Sequence, residues 1–370
     1  MFTGKDGFMI RVLIADDSAT ARQLLSYILA GASDIQVVGE AVNGEEAVRK
    51  AGILRPNLIL MDIHMPVMDG LQATQQIMMN TPTPIVLVSA STMVHETETA
   101  MLALRAGALT LLLKPAGPVD PNHEQACREL VNTVRAMADV KVVRHHRTSV
   151  PVVVSRPLKT APPTSTDSTA IKICAVATST GGPPALQKIF GAVPGDFPMP
   201  IVVVQHIAKG FTEGLAEWMD SNLALTVKVA KNGERLLPGT MYFAPDDHHL
   251  GVGRDGTARL SDAPPIGGFR PSGTHLFRSV AESYGSRTLA LILTGMGCDG
   301  VEGLRNIREV GGTIFAQDEA TCVVNGMPGA AVAAGLADQV VPLDRMAQAV
   351  LARTTGNTFP ANSAKGSPPK

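Results

Sequence analysis

The chain has almost no excess of charge: 32 Lys and Arg stand against 33 Asp and Glu in 370 residues, a formal net charge of −1. No global field draws DNA, RNA or an anionic membrane to it, so no nucleic-acid partner is expected. Long apolar runs are also missing. Nothing approaches the roughly 20 consecutive apolar residues of a spanning helix. The opening segment from Met1 to Asp17 meets acidic residues before any long apolar run. Direct membrane insertion is therefore not expected, and the chain reads as cytoplasmic. Cysteines are few, and Cys127, Cys174, Cys298 and Cys322 show no C-x-x-C spacing. Three of them lie in apolar or glycine-rich segments of the kind that bury free thiols, which points to a reducing compartment. Aromatic residues make up only 4%, and no repeat of fixed period is present. What remains, 45% hydrophobic and 18% charged residues, describes a globular chain long enough for two domains, each with its own core.

Hydrophobic runs alternate with amphipathic stretches in the first part. RVLIA, IQVVGEA, NLILM, PIVLVS and LTLLL read as buried strands, separated by segments with helical spacing of apolar positions. Five such βα units predict a doubly wound α/β fold, with a five-stranded parallel sheet covered on both faces. From about Val140 the pattern fails. A segment rich in Pro, Ser, Thr and basic residues replaces it, with no acid before Asp167, and reads as a solvated, semi-extended tether. A second α/β alternation begins at Ile171. It predicts a larger doubly wound domain whose sheet is mostly parallel, with a β-hairpin insertion around GTMYFAPDDHHLGV and ARLSD. The expected boundaries are 9–137 and 171–353 for the domains, 138–170 for the linker and 354–370 for a tail that does not pack.

In an open parallel sheet, ligands bind at the carboxyl ends of the strands. At those ends the first domain carries Asp16 and Asp17, then Asp62, Ser89 and Lys114. Converging carboxylates repel one another unless a cation neutralises them, and an all-oxygen set suits Mg²⁺. Asp62 can attack a phosphoryl donor as a carboxylate nucleophile, with Lys114, Ser89 and the metal holding the product's oxygens. One such Asp alone would merely cap the following helix.

The set, together with MDIHMPVMDG in between, resembles the receiver domain of two-component response regulators, a flavodoxin-like fold. The resemblance implies that Asp62 is the phosphoacceptor, that Asp16 and Asp17 hold Mg²⁺ with it, that Ser89 and Lys114 form the switch, and that a histidine kinase is the phosphodonor. Receivers usually carry an aromatic residue three positions before the lysine and an Asp before that. This chain has Leu111 and Thr110.

In the second domain, the same rule puts Ser179, His206 and Asp299 in strand-end loops. A serine hydroxyl needs a base within reach and an acid to orient the base, and these three residues supply the roles. After Ser179, TGGPPALQKIF reads as a turn entering a helix, whose first N–H groups, with Gly181 among them, are available to an oxyanion. Taken singly, STGG is equally a phosphate nest, His206 a structural histidine and Asp299 a helix cap.

Six segments in order, STGGP, QHIAKGFT, YFAPDDHHL, RPSGTHLF, LTGMGCDG and AQDEATCVVNGMPGAA, resemble the catalytic domain of the CheB family of protein-glutamate methylesterases. The resemblance implies an enzyme with Ser179 as nucleophile, His206 as base and Asp299 as acid, flanked by Thr180 and Met296. It would hydrolyse glutamate γ-methyl esters on methyl-accepting chemoreceptors, and in many members would also deamidate receptor glutamines. In the family the unphosphorylated receiver covers the cleft. No metal or cofactor is implied for the esterase site, so the cluster Asp246, Asp247, His248 and His249 reads as a structured loop, and a monomer is expected. Thr178 stands where Ala is usual, and Gly273, Thr274 and His275 where Val-Asp and one further residue are common. The alternative reading is a phosphorylation-gated docking module without catalysis.

Overall fold

A computed structural model describes residues 9–90, 94–120, 123–140, 142 and 170–354. The expected linker and tail fall outside the described residues except at their edges. In the first unit, β1 (Ile10–Ala15), α1 (Ala19–Ala30), β2 (Ile35–Ala41), α2 (Gly44–Leu54), β3 (Leu58–Asp62), α3 (Gly70–Asn80), β4 (Ile85–Ser89), α4 (Val94–Arg105), β5 (Thr110–Leu113) and α5 (His123–Ala138) follow in strict alternation. The strands lie in the order β2-β1-β3-β4-β5 and every pairing is parallel. Their near-continuous apolar character follows from burial on both faces. Along β1, Leu13 and Ala15 enter one core while Val12 and Ile14 enter another. Helix starts are written locally: the Asn43 side chain accepts from the N–H of Glu46, and Asp69 with Gln72 forms a capping box.

The second unit runs β6 (Ile173–Thr178), α6 (Gly182–Phe190), β7 (Ile201–Gln205), α7 (Thr212–Asn222), β8 (Thr226–Val229), β9 (Thr240–Phe243), β10 (His249–Val252), β11 (Ala258–Ser261), α8 (Gly273–Tyr284), β12 (Thr288–Ile292), α9 (Val301–Glu309), β13 (Thr313–Gln317), α10 (Met327–Ala333), β14 (Gln339–Val341) and α11 (Leu343–Thr354). Its seven-stranded sheet has the order β14-β13-β12-β6-β7-β9-β8. All pairings within it are parallel, and β10 and β11 form a separate antiparallel hairpin. One detail corrects the sequence reading. TMYF belongs to the main sheet as β9 rather than to the insertion, because all four of its residues are buried against β7 and β8.

The scarce aromatic residues are concentrated here. Phe190, Phe197, Phe211, Phe243, Phe277 and Phe315 are fully buried in the second unit, each contributing about 1.5–3 kcal/mol. The two units share a core: α4 packs on α6 and α7, and one apolar cluster runs from Leu104, Ala108 and Leu111 to Phe211 and Leu215. No helix among the described residues is long and apolar enough to cross a membrane.

Candidate active site

Strand order in the second sheet reverses between β12 and β6, and β7 lies on the other side of β6. Asp299, Ser179 and His206 follow these three neighbours, so the topology gathers at one edge what the sequence separates. The Ser179 N–H donates to the Thr294 carbonyl at 3.0 Å, and that of His206 to the Thr178 carbonyl at 2.9 Å. Gln205, buried at the end of β7, donates through Nε2 to the carbonyls of both Ser179 and His206 at 2.8 Å. The two loops are thereby tied together. Below them, the Thr178 hydroxyl donates to the Thr294 carbonyl at 3.0 Å and the Thr294 hydroxyl to that of Thr180 at 2.9 Å. A side chain on Gly295 would reach within 2.6 Å of the Ser179 Cβ, so the close approach of these loops requires glycine there.

His206 Nε2 donates to Asp299 Oδ2 at 2.9 Å. The other ring nitrogen, Nδ1, is buried and has no hydrogen-bond partner among the described residues. Asp299 is itself buried and accepts from the Ser272 hydroxyl at 2.7 Å and from the N–H groups of Gly273, Thr274 and Gly300 at 2.6, 3.1 and 2.9 Å. Burial alone would raise its pKa. The bond and charge of His206, with the Ser272 and Gly273 donors, outweigh burial and hold the carboxyl well below the usual carboxylate range. Asp299 is thus a fixed anion behind the imidazole.

Ser179 and Gly181 enter α6, whose N-cap is Gly181 and whose first turn carries Pro. Thr180 is buried and Met296 is 39% exposed. The receiver-like unit covers this edge: Leu104, Leu109 and Leu111 face Ser179, Gly181, His206 and Ile207 across a cavity of about 10 Å³. That is barely room for one water. Leu111, at the position where receivers usually carry an aromatic residue, is buried and lines this cavity.

At the other edge-site, the carboxylates of Asp16, Asp17 and Asp62 lie within 4.8 Å of one another. Lys114 Nζ bridges Asp16 at 2.7 Å and Asp62 at 2.9 Å. Burial pushes the Asp62 carboxyl up to about 6; Lys114 opposes this and Asp16 adds to it. Lys114 is raised because the two carboxylates outweigh its own burial. Ser89 ends β4, buried, with its carbonyl accepting from the Lys114 N–H at 2.8 Å. Three hard oxygen donors left with one lysine fit a divalent cation such as Mg²⁺.

Asp246 accepts from the Gly210 N–H at 2.6 Å and the Thr212 hydroxyl at 2.5 Å, Asp247 pairs with Lys209, and His248 pairs with Asp262 at 3.1 Å. These bonds brace Asp246, Asp247 and His248 as a loop, and His249 opens β10. One expectation about thiols is corrected. Cys174 is buried, but Cys298 is exposed because its glycine-rich loop lies at the sheet edge. Gly273 and Thr274 stood out in the sequence only as departures from the family pattern, and Ser272 and Phe269 not at all; Ser272, Gly273 and Thr274 donate to Asp299, and the Phe269 ring stacks on His206.

The response regulator receiver model matches residues 12–121 and the CheB methylesterase model residues 174–350. A "Protein-glutamate methylesterase/protein-glutamine glutaminase 4" of Myxococcus xanthus is 51% identical over 350 residues, covering 94% of this chain and 98% of the relative. A "Protein-glutamate methylesterase/protein-glutamine glutaminase 3" of Anaeromyxobacter dehalogenans is 51% identical over 92% of this chain and 97% of its own length. The crystal structure of the Thermotoga maritima CheB methylesterase catalytic domain is 43% identical and covers 49% of this chain and 98% of that one, with a TM-score of 0.48. With two edge-sites joined in one chain and full-length relatives at half identity, the protein belongs to the CheB family of receiver-linked methylesterases.

Proposed function

We propose that the chain is a phosphorylation-regulated serine esterase, with a phosphoacceptor domain over 9–137 and an esterase domain over 171–353. It hydrolyses glutamate γ-methyl esters of chemoreceptors in the cytoplasm, releasing methanol, and removes ammonia from selected receptor glutamines. The observation that carries this reading is the placement of His206 between Asp299 and the cavity it shares with Ser179.

His206 Nδ1 takes the Ser179 proton as the hydroxyl oxygen bonds to the ester carbonyl carbon, while Nε2–H stays on Asp299. General-base help of this kind contributes about 10²–10⁴ in rate. The Gly182 N–H is spent on the Ser179 carbonyl, which leaves the N–H groups of Thr180 and Gly181 for the oxyanion; one such donor is worth roughly 2.7–4 kcal/mol. Methanol leaves with the proton from Nδ1, and water then cleaves the glutamyl ester by the reverse route. Met296 walls the opening. A docking module without catalysis would have no use for an anion held by several donors behind an imidazole.

In the receiver, Asp62 accepts the phosphoryl group from a histidine kinase, with Lys114 and Ser89 against its oxygens. Mg²⁺ held by Asp16, Asp17 and Asp62 would supply charge neutralisation there. The added charge, about two negative units, disturbs the face that carries Leu104 and Leu111 and uncovers the cleft.

Ser179→Ala is expected to lower methanol release from methylated receptor at least about 10³-fold, and near-wild-type release would overturn the mechanism. A fragment beginning near Ile171 is expected to exceed the full chain without phosphodonor, and equal rates would rule out inhibition by the receiver.

A further inference from the structure

The segment between the β10–β11 hairpin and α8 reads DAPPIGGFRPS, and its tip folds back as a small hairpin of its own. Ile266 and Phe269 exchange both backbone hydrogen bonds at 3.0 Å. Between them Gly267 and Gly268 have φ of +61° and +89°, a two-residue turn whose backbone only glycine adopts freely. The base of this small hairpin is pinned from several sides. Arg270 Nη1 donates to the Asp262 carbonyl at 3.2 Å, His249 Nε2 lies 3.2 Å from the Pro264 carbonyl, and Asp262 pairs with His248.

The pinned turn delivers one side chain. The Phe269 ring lies flat on the His206 imidazole, with centroids 4.2 Å apart and planes within 7°. Immediately after it, Ser272, Gly273 and Thr274 donate to Asp299. A single segment therefore holds both the face of the imidazole and the carboxylate at its edge.

We infer that Phe269 is a positioning residue for the base: its ring fixes the imidazole plane so that Nε2 stays on Asp299 while Nδ1 is left to take the Ser179 proton, and its π face balances the positive charge that forms on the ring. Two uncharged rings prefer an offset or edge-on contact, whereas a cation over an aromatic face is attracted by the ring quadrupole. The stacked pair packs in either state, and it gains the attraction of the ring quadrupole only when the imidazolium of the transition state forms. Only such a differential contact raises kcat. The inference rests on Ser179, His206 and Asp299 acting as proposed above.

The test uses the full chain with a small phosphodonor and Mg²⁺, following methanol release from membranes carrying a receptor with labelled methyl esters. Phe269→Leu and Phe269→Met are expected to lower kcat about tenfold with KM unchanged, and Phe269→Trp to stay near wild type. The His206 ring-proton resonances, identified by their loss in His206→Gln, are expected to lie upfield in the wild type and in Phe269→Trp. They should move downfield in the leucine and methionine variants, where the ring current is gone. A folded leucine or methionine variant with wild-type kcat would overturn the inference, as would Phe269→Trp turning over as slowly as the leucine variant. Ser179→Ala is run alongside. Its retention of activity would topple the triad itself, a result distinct from failure of the Phe269 variants alone.

Discussion

Asp62 and Asp299 occupy equivalent places, each at the carboxyl end of a parallel sheet, yet their surroundings push them in opposite directions. Asp62 is buried beside a second carboxylate with one lysine between them, and its carboxyl rises to about 6. Asp299 is buried among the His206 ring, a hydroxyl and three N–H donors, and its carboxyl falls well below the usual range. The first site is left under-compensated, which in the proposed function lets a cation and a phosphoryl group enter it. The second is compensated in advance, which in the proposed function meets a positive charge arising on His206 without rearrangement. On that reading, the same edge of the same kind of fold would serve ligand capture in one unit and preorganisation in the other.

The largest difference between the two sites is expected at Asp299. Asp299→Asn keeps the shape but loses the anion, and a fall in kcat of about 10³–10⁴ is expected in the methanol-release assay. A loss below tenfold would mean that the donors around Asp299 serve the fold alone. The next effect is on pH dependence, and the signs differ between the sites. The Asp62 pKa is higher folded, about 6, than its ordinary 3.8. Its contribution to stability is therefore full below about pH 4 and lost as pH rises through about 6. Asp62→Asn should accordingly raise the unfolding free energy at about pH 8 by about 3 kcal/mol and at about pH 4 by much less, measured by urea denaturation without divalent cation. Asp299 has its pKa lowered from 3.8, so its contribution is present above that value and lost as pH falls through the depressed pKa. Calorimetry on acidification should show the second unit weakening while the Asp62 site is relieved. Both units weakening together in step would erase the contrast.

Smaller effects are expected away from the two carboxylates. Thr178→Ala removes the hydroxyl bond to the Thr294 carbonyl, which still accepts from the Ser179 N–H. It should cost about 1 kcal/mol of stability by denaturant titration while sparing most of kcat. The smallest effect is expected at Arg135, whose two bonds to Asp34 at 2.8 and 2.7 Å lie at the surface. Arg135→Ala should change stability by less than about 1 kcal/mol.

Much of this was legible in the chain. Apolar runs of strand length between amphipathic stretches announced a parallel sheet in the first unit and a mostly parallel one in the second, because strands buried on both faces must be apolar throughout; that the second sheet is parallel at every pairing emerged only from the structure. The strand-end residues Asp16, Asp62, Ser179 and His206 could be picked out by the general rule for such sheets. Asp299 was less evident, since it lies several residues past β12 in a glycine-rich loop. Phe269 and the Ser272 to Thr274 donors carried no signal of their own, for a side chain that acts on a residue many positions away leaves no local periodicity. TMYF was misplaced for a related reason: whether a short strand joins a sheet or an insertion depends on what covers its faces.

Local chemistry written in the sequence therefore determined the two α/β units, the helix caps and the inventory of reactive groups, since hydrophobic period and capping are properties of neighbouring residues. Tertiary structure alone decided which groups meet. The reversal of strand order between β12 and β6 brings Asp299 to His206, the pinned glycine turn lays Phe269 on the imidazole, and the packing of α4 on α6 and α7 closes the cleft. Each is a contact between distant segments, fixed by how the layers bury their apolar faces.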